Sequence, residues 1–568
     1  MNNKTLNTVG KPIRKIDGVE LVTGRAKFAG DIRIPGTLHG YQRRAGIPAG
    51  RITHIDTAPA MDVPEVVFVL LAEDIPGPNI MGILPPFDQP LLASNEVRYE
   101  GESIALVVAR TKKAARAGAK AIKVEIEPLE PVLAPEEALK PGARKIHPGG
   151  NITFERRLVK GDIKKGFEEA SVIVENTYET SFQEHAYIEP ETVLAVPGGD
   201  GRITIYASCQ SPFHLRGHIA ANLHVPATQV KVVQAYTGGS FGGKDDVAAE
   251  IGILASVAAV KSEAPVMIAH DREESIVGSN LRHASKIHYR TGARKDGTIT
   301  AREVRITLDG GAYASESPFV TMKTIIHAAG PYHVPNVKVE CRAVYTNKTY
   351  AGAFRGFGVP QVTFASESQI DELAAKLKTD PLELRRKNAL RAGLPNATSQ
   401  VFERSVGLVE TIDRIGEHRN RRAGVKRRQD DTGRWLYGSG VCCMMQGISN
   451  GAEGIDVVGA SVQMSQDGSV LVGVGLTDMG QGSRTVFAQV ASEVLGVTID
   501  RIAVKQVDTD SVHDSGPTIA SRATTVGGMA VFKAAGEVKK SLLKMASLML
   551  KCEEDKVDIA ENFARLKT

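Results

Sequence analysis

Four glycine-containing bends lie between residues 238 and 528, and they constrain the fold more than any other feature of the sequence. The first, Tyr236-Thr-Gly-Gly-Ser-Phe-Gly-Gly-Lys244, follows a predicted strand at 231–235 and precedes a predicted helix at 247–261. The second is Ala353-Phe-Arg-Gly-Phe-Gly358, with Pro360 and Gln361 behind it. The third, Asp478-Met-Gly-Gln-Gly482, stands at another strand-to-helix junction, and the fourth is the small-polar run from Ser515 to Gly528. Glycines at such junctions let backbone N–H groups converge on an anion beside a helix N-terminus. Each bend alone also reads as ordinary turn chemistry, the first one capped by Asp245 or Asp246. Together they predict one large polar cofactor held by several loops from two domains.

Other chemistries fit less well. The first bend is not GxGxxG, and it misses the P-loop pattern because Asp245 follows Lys244. GxSxG occurs twice, around Ser240 and Ser449, but Gly242-Gly-Lys-Asp separates Ser240 from the helix that a nucleophile elbow needs at once. His214 and His218 have the i, i+4 spacing of a zinc pair without HExxH or a third ligand, and they read as a surface helix pair. Arg355 suits bidentate pairing with phosphate or another polar ligand, and Phe357 offers a flat face. The alternative is a structural ion pair for Arg355 and core-anchoring roles for both phenylalanines.

The rest of the chain reads as a mixed α/β, multidomain protein. With 568 residues, 42% hydrophobic and 24% charged, it is long enough for several cores. A net charge of +5 argues against a dedicated nucleic-acid or membrane-surface binder. No apolar run reaches the roughly 20 residues of a membrane span, and no secretory leader is visible, so the expected location is cytoplasmic. The five cysteines (Cys209, Cys341, Cys442, Cys443 and Cys552) form no CxxC, which argues against an iron–sulfur cluster in this chain. Strands are predicted at Glu65–Ala72, Ser103–Ala109 and Val124–Ile126, with a helix at Lys112–Lys123. Pro-rich sequence from Glu127 to Gly142 reads as a linker, and the basic run His418–Arg428 as another. Hairpins are predicted at Asp296–Gly297 and Asp467–Gly468. Helices are predicted after Asp380–Pro381, from Thr485 to Leu495 and from Gly528 to Leu550.

GGSFGGK, AFRGFGVPQ, DMGQG and ASRATTVGG stand in the same order and at similar spacing as in the molybdopterin-binding large subunits of the xanthine dehydrogenase and aldehyde oxidase family, which this chain resembles from about Gly24 to Leu550. The resemblance implies a hammerhead-like α/β domain (20–135), a first molybdopterin-binding domain (155–395) and an incomplete second one (430–568). It implies a cofactor site of Gln210, Gly239, Phe241, Gly242, Arg355, Gln481, Ala520, Ser521 and Thr524. Within that set Gln210, Phe241, Arg355 and Ala520 surround the molybdenum without ligating it, and Ser240 is a loop residue. Asp245, Lys323 and Phe357 match substrate-facing positions, with a helix cap as the alternative for Asp245.

The implied cofactor is molybdenum–molybdopterin, with the cytosine dinucleotide as one form, and the implied reaction oxidises an N-heteroaromatic, purine-like compound or an aldehyde with water-derived oxygen. Electrons would pass to an iron–sulfur subunit and an FAD subunit. The family's general-base glutamate, in a Gly-Glu pair near the C-terminus, has no counterpart before Thr568, since Gly536–Glu537 lies inside a predicted helix. The expectation is therefore a fragment or split subunit, with the base on a missing segment or on another partner chain. The competing expectation is a catalytically silent truncated subunit that only binds cofactor or partners. No cysteine stands in Ala353–Phe357, which argues against a copper–molybdenum centre.

Overall fold

The computed structural model describes residues 6–82, 85–423, 439–451 and 454–567. They form two compact units: Met1–Glu130 with Glu184–Asn280 and Gly447–Thr568, and Pro131–Gln183 with Leu281–Gln446.

The first unit is centred on a seven-stranded sheet. Its strands run in the order Val230–Gln234, Ile203–Ala207, Thr192–Pro197, Val266–Ala269, Leu38–Arg44, Ser103–Ala109, Val66–Leu70. Leu38–Arg44 pairs in parallel with Val266–Ala269 and antiparallel with Ser103–Ala109, so segments separate on the sequence share one sheet. Ser103–Ala109 is buried throughout, as its unbroken apolar run requires of a central strand. Helix Asp246–Ser262 is apolar nearly all round and is buried from Asp246 to Ala259 against this sheet. A three-stranded sheet of Ala460–Met464, Val470–Val474 and Ile502–Val504 packs its apolar side beneath helices Ser483–Leu495 and Gly528–Leu550. It contains the hairpin expected at Asp467–Gly468.

The second unit is a five-stranded sheet in the order Val172–Thr180, Ala284–Ala293, Ile299–Gly311, Asn336–Tyr345, Ile152–Lys160. It includes the predicted hairpin around Asp296–Gly297. Helices Ser317–His327 and Val359–Leu377 contribute Val320, Ile325, Val362 and Leu373 to its core. Asp380 caps Pro381–Asn388 as expected, accepting from the Leu382 and Glu383 amides.

Two readings of the sequence are corrected. The stretch from Glu127 to Gly142 contains the boundary between the two units, at Glu130–Pro131, but it is not a plain linker: it holds the short helix Pro135–Ala138 and buries Val132 and Ala138 with Ile146, Val344 and Tyr345, because apolar residues stand between its prolines. The His214–His218 pair is half-buried rather than on the surface, and burial pushes the His218 imidazole below its usual range. Residues 424–428 of the basic run and 430–438 of the second expected cofactor domain lie outside the described residues. Among the described residues no helix is long and apolar enough to cross a membrane, and no three His, Cys, Asp or Glu side chains converge as a metal site.

Candidate functional site

In the first unit, three of the four bends meet around Gln210. This residue follows strand Ile203–Ala207, just before Pro212 opens helix Pro212–Leu223, and it is 2% exposed. Its backbone N–H donates to the Lys244 carbonyl at 3.1 Å, which joins it to the first bend. Its carbonyl accepts from the Thr518 N–H and from Thr477 Oγ1, both at 3.2 Å, which joins it to the fourth and third bends. Thr477 also bonds Thr518 through its N–H (2.8 Å) and its hydroxyl (2.9 Å). Gln234 Nε2 donates to the Asp478 carbonyl at 2.9 Å. The separation in sequence is bridged by ordinary hydrogen bonds, each satisfying a group that burial would otherwise leave unpaired.

The first bend rests on an ion pair that the sequence did not disclose. The Lys244 ammonium is completely buried, 2.9 Å from Glu189 Oε2 and 2.8 Å from Ser208 Oγ. Glu189 Oε2 also accepts from Ser208 Oγ and the Gly238 N–H, each at 2.7 Å. Nζ sits 4.6 Å from the centre of the Tyr187 ring. Burial pushes the Lys244 amine down, against the pull of Glu189. A P-loop lysine would reach outward to phosphate; this one is turned inward and holds the loop. Ser240 is 1% exposed, and its hydroxyl donates to Gln210 Oε1, which accounts for it as a loop residue. Gly239 and Gly242 have φ of +96° and +106°, and Phe241 is left-handed at φ +55° and 45% exposed.

Asp245 stands at the start of helix Asp246–Ser262, but its side chain makes no capping bond. Its carboxylate lies 3.4 Å from Gln210 Nε2 instead, and burial pushes the carboxyl up. The capping reading is therefore corrected for Asp245.

The third bend is folded by its own side chains. Asp478 Oδ1 accepts from the Gly480 and Gly482 amides, at 2.9 and 3.2 Å. Gln481 Nε2 donates to the Thr477 carbonyl at 2.9 Å, while Gln481 as a whole remains exposed. In the fourth bend Ala520 and Ser521 are both left-handed, at φ +51° and +55°. A π-helical turn, Ala523–Gly527, then leads into helix Gly528–Leu550. Ser521 and Thr524 are exposed at this helix entrance, where N–H groups lack intrahelical acceptors. The bend is held from behind by Arg522, 1% exposed, which sequence reasoning passed over. Its guanidinium donates to Asp456 (2.8 Å) and to the carbonyls of Ser515 (2.7 Å), Pro517 (3.1 Å) and Val457 (2.8 Å). Left-handed non-glycine residues gathered in such loops are a mark of functional sites.

The remaining bend belongs to the second unit. Arg355 is exposed, and its guanidinium makes no hydrogen bond or ion pair among the described residues, so the ion-pair alternative is not what the structure holds. Arg282 fixes the loop, stacking 3.9 Å over Phe354 and donating to the Arg355 carbonyl at 2.9 Å. Phe357, at φ +53°, packs partly against the unit's core. Gly358 has φ +91°, and a Cβ there would lie 2.0 Å from Thr324 Oγ1, so the bend passes directly against helix Ser317–His327. That helix carries Lys323, which is buried.

The donor set suits a polar, phosphate-bearing group. The Gln210 amide gives one N–H to Asp245, and its second N–H has no acceptor among the described residues. A buried donor left in that state calls for an acceptor oxygen. The hydroxyls and amides at 521–525 suit an anion.

Comparison with known proteins agrees. The chain matches the "Molybdopterin cofactor-binding domain" families over residues 146–389 and 412–568, and the "Aldehyde oxidase and xanthine dehydrogenase, a/b hammerhead domain" over 23–130. It is 36% identical to a probable xanthine dehydrogenase subunit of Bacillus subtilis, over 94% of this chain and 70% of that protein. It is 39% identical to the nicotinate dehydrogenase large molybdopterin subunit of Eubacterium barkeri, over 73% of this chain and 97% of that protein. Quinoline 2-oxidoreductase from Pseudomonas putida 86 superimposes with a TM-score of 0.91 at 26% identity, over 99% of this chain and 74% of that one. The α/β chain with its hammerhead domain and two cofactor-binding domains therefore belongs to the xanthine dehydrogenase and aldehyde oxidase family of molybdenum oxidoreductases, as a molybdopterin-binding large subunit.

Proposed function

We propose that this chain binds molybdenum–molybdopterin in a hydroxylase that oxidises a small N-heteroaromatic compound, purine-like rings foremost, or an aldehyde. The observation that carries the reading is the meeting of three glycine bends at Gln210, whose buried amide keeps one N–H for an acceptor. When bound, the cofactor supplies the two-electron oxidation and the use of water as the oxygen source.

The chain's own residues position and polarise. Gln210 offers its remaining N–H to an acceptor oxygen of the cofactor. Gly239, Phe241 and Gly242 shape the floor of the cradle, with Ala520 beside them in the set assigned to the metal's surroundings. Gln481, Ser521 and Thr524 are assigned to the pterin and its phosphate or cytosine dinucleotide. Arg355 is assigned to the cofactor, with a guanidinium that has no partner among the described residues as the supporting observation. Phe357 and Lys323 are assigned to substrate. Electrons are assigned to leave through iron–sulfur and FAD partner subunits, and the location to the cytoplasm. Working domain bounds of 20–135, 155–395 and 430–568 go with this reading.

Relatives whose names carry xanthine, nicotinate and nicotine, and a solved quinoline oxidoreductase, support ring substrates, while relatives named for aldehydes support the second class. Assays of the complex purified with its partners, against purines, nicotinate and aromatic aldehydes in heavy-oxygen water, test the proposal. Labelled oxygen in a hydroxylated ring product is the expected result. A product labelled only from dissolved oxygen, or no oxidation of any of the three classes, contradicts it.

A further inference from the structure

The side chains of Ser240, Gln210 and Asp245 are joined by contacts that leave the Gln210 amide one orientation, and the Ser211 side chain and the His214 charge also act on the Asp245 carboxylate. Ser240 Oγ accepts the Lys244 N–H at 3.3 Å, so its own proton is directed to Gln210 Oε1. On the other side Gln210 Nε2 lies 3.4 Å from Asp245 Oδ2. Because the Ser240 hydroxyl donates to Oε1, the amide nitrogen is left on the Asp245 side, where a carboxyl oxygen accepts from it. The backbone of Gln210 is fixed on both sides, by Lys244 and by Thr518. All three residues are buried: Ser240 to 1% exposed, Gln210 to 2% and Asp245 to 6%. The remaining freedom is a half-turn of the amide. That turn would bring Oε1 against the Asp245 carboxylate and lose the acceptor for the Ser240 hydroxyl.

We propose that Ser240 and Asp245 are positioning residues that lock the Gln210 amide so that an N–H, and not the carbonyl, is presented to an oxygen of the bound cofactor. The inference rests on the molybdenum-hydroxylase reading and deepens it. It gives Asp245 a role at the cofactor side rather than at the substrate. It also explains a serine in the middle of a bend where a glycine would serve for chain geometry alone: the hydroxyl is used, and the loop's left-handed positions are Gly239, Phe241 and Gly242, not Ser240.

The test uses the complex purified with its partners, comparing wild type with Ser240→Ala, Ser240→Thr, Asp245→Ala and Asp245→Asn. Molybdenum and pterin per chain, the Mo(V) electron paramagnetic resonance spectrum, kcat and KM are measured together. Ser240→Ala and Asp245→Ala are expected to keep wild-type molybdenum and KM, to lower kcat about tenfold, and to shift the Mo(V) signal. Ser240→Thr restores the hydroxyl and is expected to restore kcat and the wild-type spectrum. Asp245→Asn, which can still accept through its oxygen, is expected to fall between wild type and Asp245→Ala. A rise in KM alone for Asp245→Ala, with an unchanged spectrum, would make Asp245 a substrate ligand and overturn the proposal. An unchanged kcat and spectrum in Ser240→Ala, or loss of molybdenum from either alanine variant, would overturn it as well. Absence of molybdenum from the wild-type complex is a separate outcome: it removes the hydroxylase reading itself, and the proposal with it.

Discussion

In the first unit, three glycine bends are tied to one another through Gln210, Thr477 and Thr518, and the first is anchored by the buried Lys244–Glu189 pair. In the second unit, the Ala353–Gly358 bend lies against Arg282 and Thr324 and leaves the Arg355 guanidinium unengaged among the described residues. The contrast separates two ways of building a binding loop. On the proposed reading the first set binds through backbone amides, so the loop itself must be rigid, and buried polar contacts supply that rigidity. On the same reading the second set binds through the long Arg355 side chain, so only its root must be fixed, and stacking of the neighbouring Phe354 under Arg282 suffices. Substitutions of the groups that anchor the first set from behind, Glu189 and Arg522, should therefore be felt as lost stability, and those at Arg355 as lost function.

The largest effect is expected from Glu189→Ala. It strands the fully buried Lys244 ammonium and frees the Gly238 amide, a loss of about 3–5 kcal/mol. A urea midpoint equal to wild type would erase the first half of the contrast. Arg522→Ala removes a guanidinium bonded to one carboxylate and three carbonyls, and a loss of about 3 kcal/mol is expected. Molybdenum content should fall with it, because the fourth bend loses its backing.

The second unit also has an acid-sensitive core. Burial, with the nearby Arg282 charge, pushes His283 from 6.5 down to about 3, while the unfolded chain binds its proton at the usual pH. Its contribution is therefore complete above pH 6.5 and is lost as the pH falls toward 3, by up to about 1.4 kcal/mol per unit. Urea titrations should show that slope flattened in His283→Gln, and an unchanged slope would remove His283 as its cause. The smallest effect on stability is expected from Arg355→Ala, within about 0.5 kcal/mol of wild type, with turnover or cofactor content lost. A large loss of stability there would show that the two units follow one design after all.

Features set by neighbouring residues were legible in the sequence. Asp380–Pro381 starts a helix, Asp296–Gly297 and Asp467–Gly468 turn hairpins, and Gly528–Leu550 is helical over its predicted span. The bends that carry the candidate site were legible for the same reason. Pairing between distant segments was not: nothing local in Leu38–Arg44 announces Val266–Ala269 as its partner. Glu189 likewise has no motif around it, and its role appears only when Lys244 folds back across the intervening residues. Asp245 stands where a helix cap is expected, and only the fold shows that Gln210 competes for its carboxylate and takes it. The π-helical turn at Ala523–Gly527 was hidden by a composition that suits any polar loop.

The central claim is that the linked bends of the first unit cradle a molybdenum-bearing pterin. Its most direct test is metal and pterin analysis of the complex purified with its partner proteins, beside a Glu189→Ala, Arg522→Ala double variant. Molybdenum and pterin are expected in equal amounts in the wild type, with both depleted in the variant. A wild-type complex without molybdenum and pterin, or a variant that retains them in full, would contradict it.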